Sequence, residues 1–459
     1  MNEVLNFDEL LKLAEDKSFR KLRDILKDLN EADIALFFEE LPTELIVKVF
    51  RTLPKDIAAD VFSNLDGDIQ KVIITTITDR EIKDIIDDLF VDDAVDMLEE
   101  LPANVVKKVL KSANSETRKL INQFLQYPEN STGSIMTAEF VDLKKNMTVK
   151  DAISHIRKTG EDSETIYTCY VTDKSRILEG IVTVKELLLA ADDILIDDIM
   201  RCDVITASTT DDQELTAKNM MKYDFISMPV VDGENRLVGI VTVDDIMDVM
   251  EEETTEDIEK MAAILPTDKD YFHTGVFSTF KARIPWLMLL MISATFTGSI
   301  ISSFEAKLTV LPALIAFIPM LMDTGGNSGS QASVTVIRAI SLGDIEFKDI
   351  FKVIWKEVRV ALCCAVSLAA VNAIKLWFVD YLIFKNFDAK MQLYEIAVVC
   401  LTLFFTVLVA KIVGCTLPIL AKKIGFDPAV MASPLITTIV DALSLFIYFS
   451  IAVMLIPGI

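Results

Sequence analysis

Asp441 stands near the middle of an apolar run, in the stretch Thr437-Thr438-Ile439-Val440-Asp441-Ala442-Leu443-Ser444. A carboxylate at that depth in a bilayer costs about 2.5 to 3.5 kcal/mol on insertion scales, so it is expected to face protein or water and to mark an ion path. Thr437 precedes it by one helical turn and would share its face. A second polar stretch, Asp323-Thr324-Gly325-Gly326-Asn327-Ser328-Gly329-Ser330-Gln331, lies in another apolar run that also holds Pro312 and Pro319. Its glycines permit close backbone approach, and the Asn327 and Gln331 amides offer oxygen acceptors one turn apart. An interrupted helix is expected there, because unwound backbone is tolerated at membrane depth only where protein covers it or a cavity adjoins it. Asp92 and Asp96 lie at i and i+4, and Glu253, Glu256 and Asp257 at i, i+3 and i+4. Like charges so placed destabilise a helix slightly unless a cation joins them. Oxygen donors without thiolate or imidazole suit hard cations such as magnesium, calcium or manganese, and magnesium keeps much of its water. Two copies of the last helix at a dimer axis would bring two Asp441 carboxylates to one hydrated ion. The plain alternatives are a packing role for Asp441 and a merely solvated face for Asp92 and Asp96.

Those residues require a scaffold that is partly in water and partly in lipid. The chain has 459 residues, 51% of them hydrophobic, yet 70 acidic against 45 basic side chains give it a net charge of −25. Residues 271–459 hold 11 acidic and 14 basic side chains, which leaves 59 against 31, a charge of −28, on the first 270. An anionic soluble part is thus joined to an apolar, weakly cationic one. The anionic part repels nucleic acid and attracts cations, so no nucleic-acid partner is expected. Apolar runs at about 284–304, 308–340, 357–383, 393–421 and 429–456 each reach the ~20 residues that a span needs, and five transmembrane helices are expected. Lys281, Arg283, Arg338, Lys348, Lys352, Lys356, Arg359, Lys422 and Lys423 would flank the inner ends, against Lys307, Lys385 and Lys390 outside. That asymmetry places the N-terminus in the cytoplasm and the C-terminal Pro457-Gly458-Ile459 outside. The six Cys form no CxxC pair and the only histidines are His155 and His273, so neither a zinc site nor a disulfide framework is expected. No phosphate loop, HExxH helix or GxSxG elbow occurs, which argues against an enzyme.

The soluble part divides further. Residues 1–130 read as short amphipathic helices punctuated by Leu41-Pro42, Leu53-Pro54 and Leu101-Pro102, a stack of hairpins with Val47, Phe50, Ile57 and Val61 in its core. Residues 134–197 and 198–250 repeat one another: Ser134-Ile135-Met136 with Gly180-Ile181-Val182-Thr183-Val184-Lys185-Glu186 is echoed by Asp198-Ile199-Met200 with Gly239-Ile240-Val241-Thr242-Val243-Asp244-Asp245. The pattern resembles tandem CBS domains, which implies a ligand cleft between the copies. Thr242 and Asp245 would hold the ribose of a nucleotide there, whereas Lys185-Glu186 in the first copy lacks the matching Asp. A dimerisation module is the other reading. A helix over 251–275 would connect this part to the first span.

Taken in order, the acidic helical N-domain, two CBS copies, the connecting helix, five spans, the Gly325-Gly326-Asn327 signature and the stretch from Asp427-Pro428-Ala429 to Asp441 resemble the MgtE family of magnesium channels over essentially the whole chain. The resemblance implies a multidomain membrane protein: an all-α N-terminal helical superhelix, α/β tandem CBS domains, a connecting (plug) helix and a five-helix α transmembrane domain at 276–459. It implies a homodimeric, magnesium-selective channel of the inner membrane, closed by cytoplasmic Mg2+, with a transporter of cobalt or manganese as the alternative. Asp441 and the Thr437 carbonyl would hold hydrated Mg2+ in the pore, beside Ser433 where the family has Asn, with Asn327 and Gln331 lining it. Regulatory Mg2+ would fall to Asp92, Asp96, Asp212, Glu214, Asp224, Asp245, Glu253, Glu256 and Asp257. A nucleotide-stacking Tyr of the family aligns with Thr168, which counts against ATP as a further ligand.

Overall fold

The computed structural model describes residues 7–267, 271, 274–308, 312–379, 389–431 and 433–456, and it divides into two compact units, Met1–Met250 and Glu251–Ile459.

The first unit opens with ten short helices, from α1 (Phe7–Glu15) to α10 (Ser115–Phe124). Pro42, Pro54 and Pro102 sit immediately before α4 (Thr43–Phe50), α5 (Lys55–Ser63) and α9 (Ala103–Ser112), where a missing N–H deprives no intrahelical bond. Helices pack on the next but one, α3 (Glu31–Glu39) on α5 and α4 on α6 (Gly67–Thr76), which winds the array into a superhelix. Its core runs through Phe37, Phe38, Phe50 and Phe62, set edge to face. Val47, Phe50 and Val61 are buried as expected, and Ile57 is half-buried.

Two three-stranded sheets follow. In the first, β1 (Phe140–Leu143) runs parallel to β2 (Thr165–Thr172), which is antiparallel to β3 (Leu178–Thr183); the second repeats this with β4 (Ala207–Ser208), β5 (Ser227–Val231) and β6 (Leu237–Thr242). The repeated motif turns out to be an exchange of segments between the copies. Thr137, beside Met136, bridges Ile240 on β6 of the second copy, while Arg201, beside Met200, bridges Ile181 on β3 of the first. Each bridge crosses a glycine: a Cβ on Gly239 would lie 2.7 Å from the Thr137 carbonyl oxygen, and one on Gly180 2.9 Å from that of Arg201. The helices of the pair are α11 (Val149–Thr159), α12 (Val184–Leu189), α13 (Ile196–Ile199) and α14 (Gln213–Tyr223). The next, α15 (Val243–Met261), crosses the boundary between the units. The connecting helix is therefore no separate element over 251–275: the chain leaves β6 directly into it and it ends at Met261.

The second unit is a bundle of α16 (Val276–Leu308), α17 (Ile318–Ser341), α18 (Ile350–Val379), α19 (Ala389–Ile424) and α20 (Ser433–Leu455). Among the described residues four helical stretches are long and apolar enough to cross a membrane, and α17 falls short because of its Gly, Asn, Ser and Gln content. The expected interruption of this span is corrected, since α17 is helical straight through Gly325-Gly326-Asn327. Pro319 lies in its first turn, where it removes no bond, and the irregular backbone falls upstream, in a 3-10 turn at Pro312–Phe317. The glycines serve helix packing instead. Gly329 and Gly414 bring α17 and α19 backbone to backbone, leaving no room for a Cβ at Gly414.

Candidate cation sites

In the membrane unit α17 packs on both α19 and α20, and Asp441 on α20 lies within the field of Asp323 on α17. Its Oδ1 is buried and has no hydrogen-bond partner. The Oγ1 atoms of Thr402 and Thr406 on α19 are in the same condition, although a helical Thr can turn its hydroxyl onto the i−4 carbonyl. Thr406 and Ser444 converge on Gly325, whose Cβ would lie 2.7 Å from Thr406 Cγ2 and 2.8 Å from Ser444 Oγ. Thr437 closes on Gly326 in the same way, at 2.8 Å through its Cγ2. Asp323, two residues before Gly325, is a second carboxylate acting on Asp441. Asp323 opens the polar stretch noted in the sequence but was given no role there, and Thr402 and Thr406 have nothing in their own neighbourhood that marks them; the glycines that bring helices together were the available signal. Ser433 begins α20, and its side chain lies outside the described residues.

Asn327 and Gln331 lie on another face of α17. A helix turns about 100° per residue, so their face is nearly opposite that of Gly325 and Gly329. They line a cavity of about 830 Å3 together with Glu357 on α18 and Lys411 on α19.

The end of α15 docks within the same unit. Glu253, Glu256, Asp257 and Lys260 are half-buried. Lys260 Nζ donates to Asp427 Oδ2 at 2.7 Å and pairs with Glu256 Oε1 at 2.7 Å, while Ser341 Oγ on α17 donates to Asp257 Oδ2 at 3.4 Å. Met261 packs on Ile337 and Ala429. Burial pulls the Lys260 ammonium down, but its bonds to Asp427 and Glu256 outweigh this and raise it above its ordinary value.

In the soluble unit, carboxylates gather between α8 (Val91–Glu100), the first CBS copy and the start of α15. Asp92, 9% exposed, is pushed well above the usual carboxylate range by burial and then by Asp245 and Asp93. The same causes, burial and Asp245 first, lift Asp93 to about 6 and Glu164 to about 7. Asp245 is also raised by burial, against the hydroxyl of Thr242, which donates to its Oδ2. Asp93, Asp244, Glu139 and Glu164 were missed in the sequence, since three separate elements assemble them. Asp96, one turn past Asp92, is exposed.

The remaining sequence candidates are engaged locally. Asp212 caps α14 by accepting from the Glu214 and Leu215 N–H groups, and Glu214 pairs with Lys218. Asp224 sits at the other end of that helix in the left-handed region, at φ 54°. Among the described residues no three Asp, Glu, His or Cys stand at metal-holding distance. At the CBS cleft, Glu186 occupies the first-copy position corresponding to Asp245 and is tied to Arg201 at 2.6 Å.

Buried carboxylate and hydroxyl oxygens without partners fit a hard divalent cation as cargo. Such a site in a bundle of apolar helices, on a chain that also carries a CBS pair, defines a membrane transporter for cations. Family models match residues 318–451 as a divalent cation transporter, 29–130 as the MgtE intracellular N domain, and 133–193 and 196–252 as CBS domains. The chain is 34% identical over 461 residues to the magnesium transporter MgtE of Bacillus subtilis, covering 98% of each protein. To that of Thermus thermophilus it is 36% identical over 343 residues, 75% of this chain and 74% of the other. Among solved structures, the soluble part of a magnesium transporter matches at 32% identity and TM-score 0.51, covering 54% of this chain and 97% of that one. The cytosolic domain of the Mg2+ channel MgtE in complex with ATP matches at 34% and 0.50, covering 52% and 98%. The chain belongs to the MgtE family of magnesium transporters.

Proposed function

We propose that this chain forms a homodimeric, magnesium-selective channel that admits Mg2+ to the cytoplasm down its electrochemical gradient and is closed by cytoplasmic Mg2+. The buried, partnerless Asp441 oxygen supports this reading most directly, because a carboxylate left unsatisfied among spans is held at a cost that a passing cation offsets. Two Asp441 groups across a dimer axis, with Thr437, would hold one hydrated ion. Entry needs no fuel: with the N-terminus inside, the membrane potential contributes about 2.3 kcal/mol per charge per 100 mV, roughly 4.6 for a divalent ion. Cobalt favours nitrogen-bearing sites more than magnesium does, so the carboxylate and hydroxyl oxygens of Asp441, Thr402 and Thr406 favour magnesium over that alternative.

Closure is assigned to the carboxylates outside the span. Asp92 and Asp245, with Asp93 and Glu164 around them, repel one another until divalent ions bridge them; because Mg2+ keeps several waters, groups that feel each other's field without touching suit it. Glu253, Glu256 and Asp257 would take Mg2+ on the connecting helix, and Asp96, Asp212, Glu214 and Asp224 would serve where a second subunit or domain completes them. Thr242 and Asp245 would hold the ribose of ATP as a further ligand, while in the first copy Glu186 is paired with Arg201 and offers no matching Asp. Mg2+ uptake into liposomes should fall to background in Asp441→Ala, and equal entry with the wild-type chain would remove the pore site. Protease protection of residues 250–270 should rise with millimolar Mg2+; an unchanged digestion pattern would discard the closure mechanism.

A further inference from the structure

The cavity faced by Asn327 and Gln331 also holds two charged side chains that are each more than nine-tenths buried: Glu357, 8% exposed, and Lys411, 5% exposed. Neither forms a hydrogen bond or ion pair with a described residue. Both lie close enough to act on Cys415, so they share one level of the bundle without neutralising each other. Their charged ends open on the cavity, each without a partner of opposite sign, and such charges are strongly unfavourable among apolar spans. A simple cation would be held by Glu357 and repelled by Lys411, and a simple anion the reverse. A ligand carrying both signs satisfies both, and about 830 Å3 lies within the usual range of ligand pockets, about 300 to 1,000 Å3.

The depth of the cavity narrows the choice. Cys400 Sγ, bonded to the Ala369 carbonyl at 3.6 Å and facing Asn372 Nδ2 at 3.9 Å, sets the antiparallel register of α18 and α19. That register places Glu357 beside the turn following Lys411, so Lys411 lies deeper from this end of the bundle by up to about one turn, ~5 Å. The same end of α18 carries Lys352, Lys356 and Arg359 together with Phe351 and Trp355, 81% and 64% exposed, the basic and aromatic belt of a membrane interface. Placed by that belt, the cavity would open at headgroup depth, its positive group toward the hydrocarbon and its negative group toward water.

We propose that it binds the headgroup of a zwitterionic phospholipid of the phosphoethanolamine type. The phosphate, attached on the glycerol side, meets Lys411, and the terminal ammonium meets Glu357. Asn327, Gln331 and Ser330 supply the remaining polar contacts. A primary ammonium is favoured over choline because only N–H groups can donate to a carboxylate and to amide oxygens. This inference rests on the membrane placement of these helices and not on which ion is transported.

The test is native mass spectrometry of the full chain reconstituted in bilayers of mixed phospholipids and released in mild detergent. Phosphatidylethanolamine should be retained, and Lys411→Met should lower its retention roughly tenfold, the effect of losing one charge-assisted hydrogen bond. Glu357→Gln should lower it similarly while sparing phosphatidylglycerol, which has the phosphate and no ammonium. The double substitution leaves no unpaired charge to disturb folding and should abolish the preference among lipids. Equal retention in the wild-type chain and all three variants would overturn the proposal. So would displacement of the lipid by glycerophosphoethanolamine at equal concentration, which would make a free phosphoester the ligand. A disulfide between two copies bearing Val360→Cys would also overturn it, by showing the cavity covered by a second subunit.

Discussion

The acidic cluster of the soluble unit is built of residues whose protonation is itself informative. Glu164 is lifted to about 7 and Asp93 to about 6, both by burial and then by Asp245, while Asp92 stands well above its ordinary range. Raised carboxylates mean that the gathered arrangement binds more protons than a separated one. Gathering is therefore favoured below about pH 4, and that advantage is lost as the pH rises through 6 and 7. A divalent ion entering the cluster must displace those protons. Calorimetric titration of the full chain with Mg2+ at pH 7, in two buffers of different ionisation enthalpy, should register proton release, and Glu164→Gln should reduce it by about half a proton. A heat that does not depend on the buffer would mean that the ion binds elsewhere. The sequence made part of this readable: Asp92 and Asp245 were marked, but Asp93, Glu139 and Glu164 become functional candidates only through tertiary apposition. Helical spacing placed Asp96 one turn from Asp92, and its exposure leaves it to a second subunit or domain to complete.

At the scale of elements, apolar runs marked the stretches that hold the five long helices, four of them apolar enough to span by that measure, and the repeat located the CBS pair, because both signals are local. What local pattern could not reveal was how the elements close on one another. The Gly-Gly-Asn stretch looked like a break and proved a continuous helix, since its glycines are used for contact with α19 and α20 rather than for unusual backbone angles. Replacing Gly414 by Leu should force α17 and α19 apart, lowering the thermal midpoint of the bundle and abolishing uptake; a variant with unchanged stability would refute the backbone-to-backbone packing. The end of α15 leads to another prediction. Lys260 holds Glu256 and Asp427 together as a tethered monovalent charge, the role a bridging Mg2+ would otherwise take. In Lys260→Met the two carboxylates face each other with no cation of their own. Uptake with Mg2+-free interior solution should rise, and closure should depend more steeply on internal Mg2+. A variant that conducts like the wild-type chain in both conditions would leave Lys260 no part in gating.

For the whole molecule, the charge of −28 on the first 270 residues acts in two ways that can be separated. Diffuse repulsion among exposed carboxylates is screened by any salt, the Debye length shrinking to about 3 Å at 1 M. The buried carboxylates around Asp92 and Asp245 are screened far less, and only a bound cation or a proton relieves them. If closure is driven by binding, small-angle scattering of the chain in nanodiscs should show the soluble unit contracting with millimolar Mg2+, and contracting also as the pH falls from 7.5 toward 5.5 without Mg2+. Molar sodium chloride should reproduce little of this. Asp92→Asn combined with Asp245→Asn should contract the unit in advance of either treatment and blunt the response to both. If sodium chloride compacts the wild-type chain as fully as Mg2+, screening of the exposed face accounts for the change, and the buried cluster has no role as a sensor.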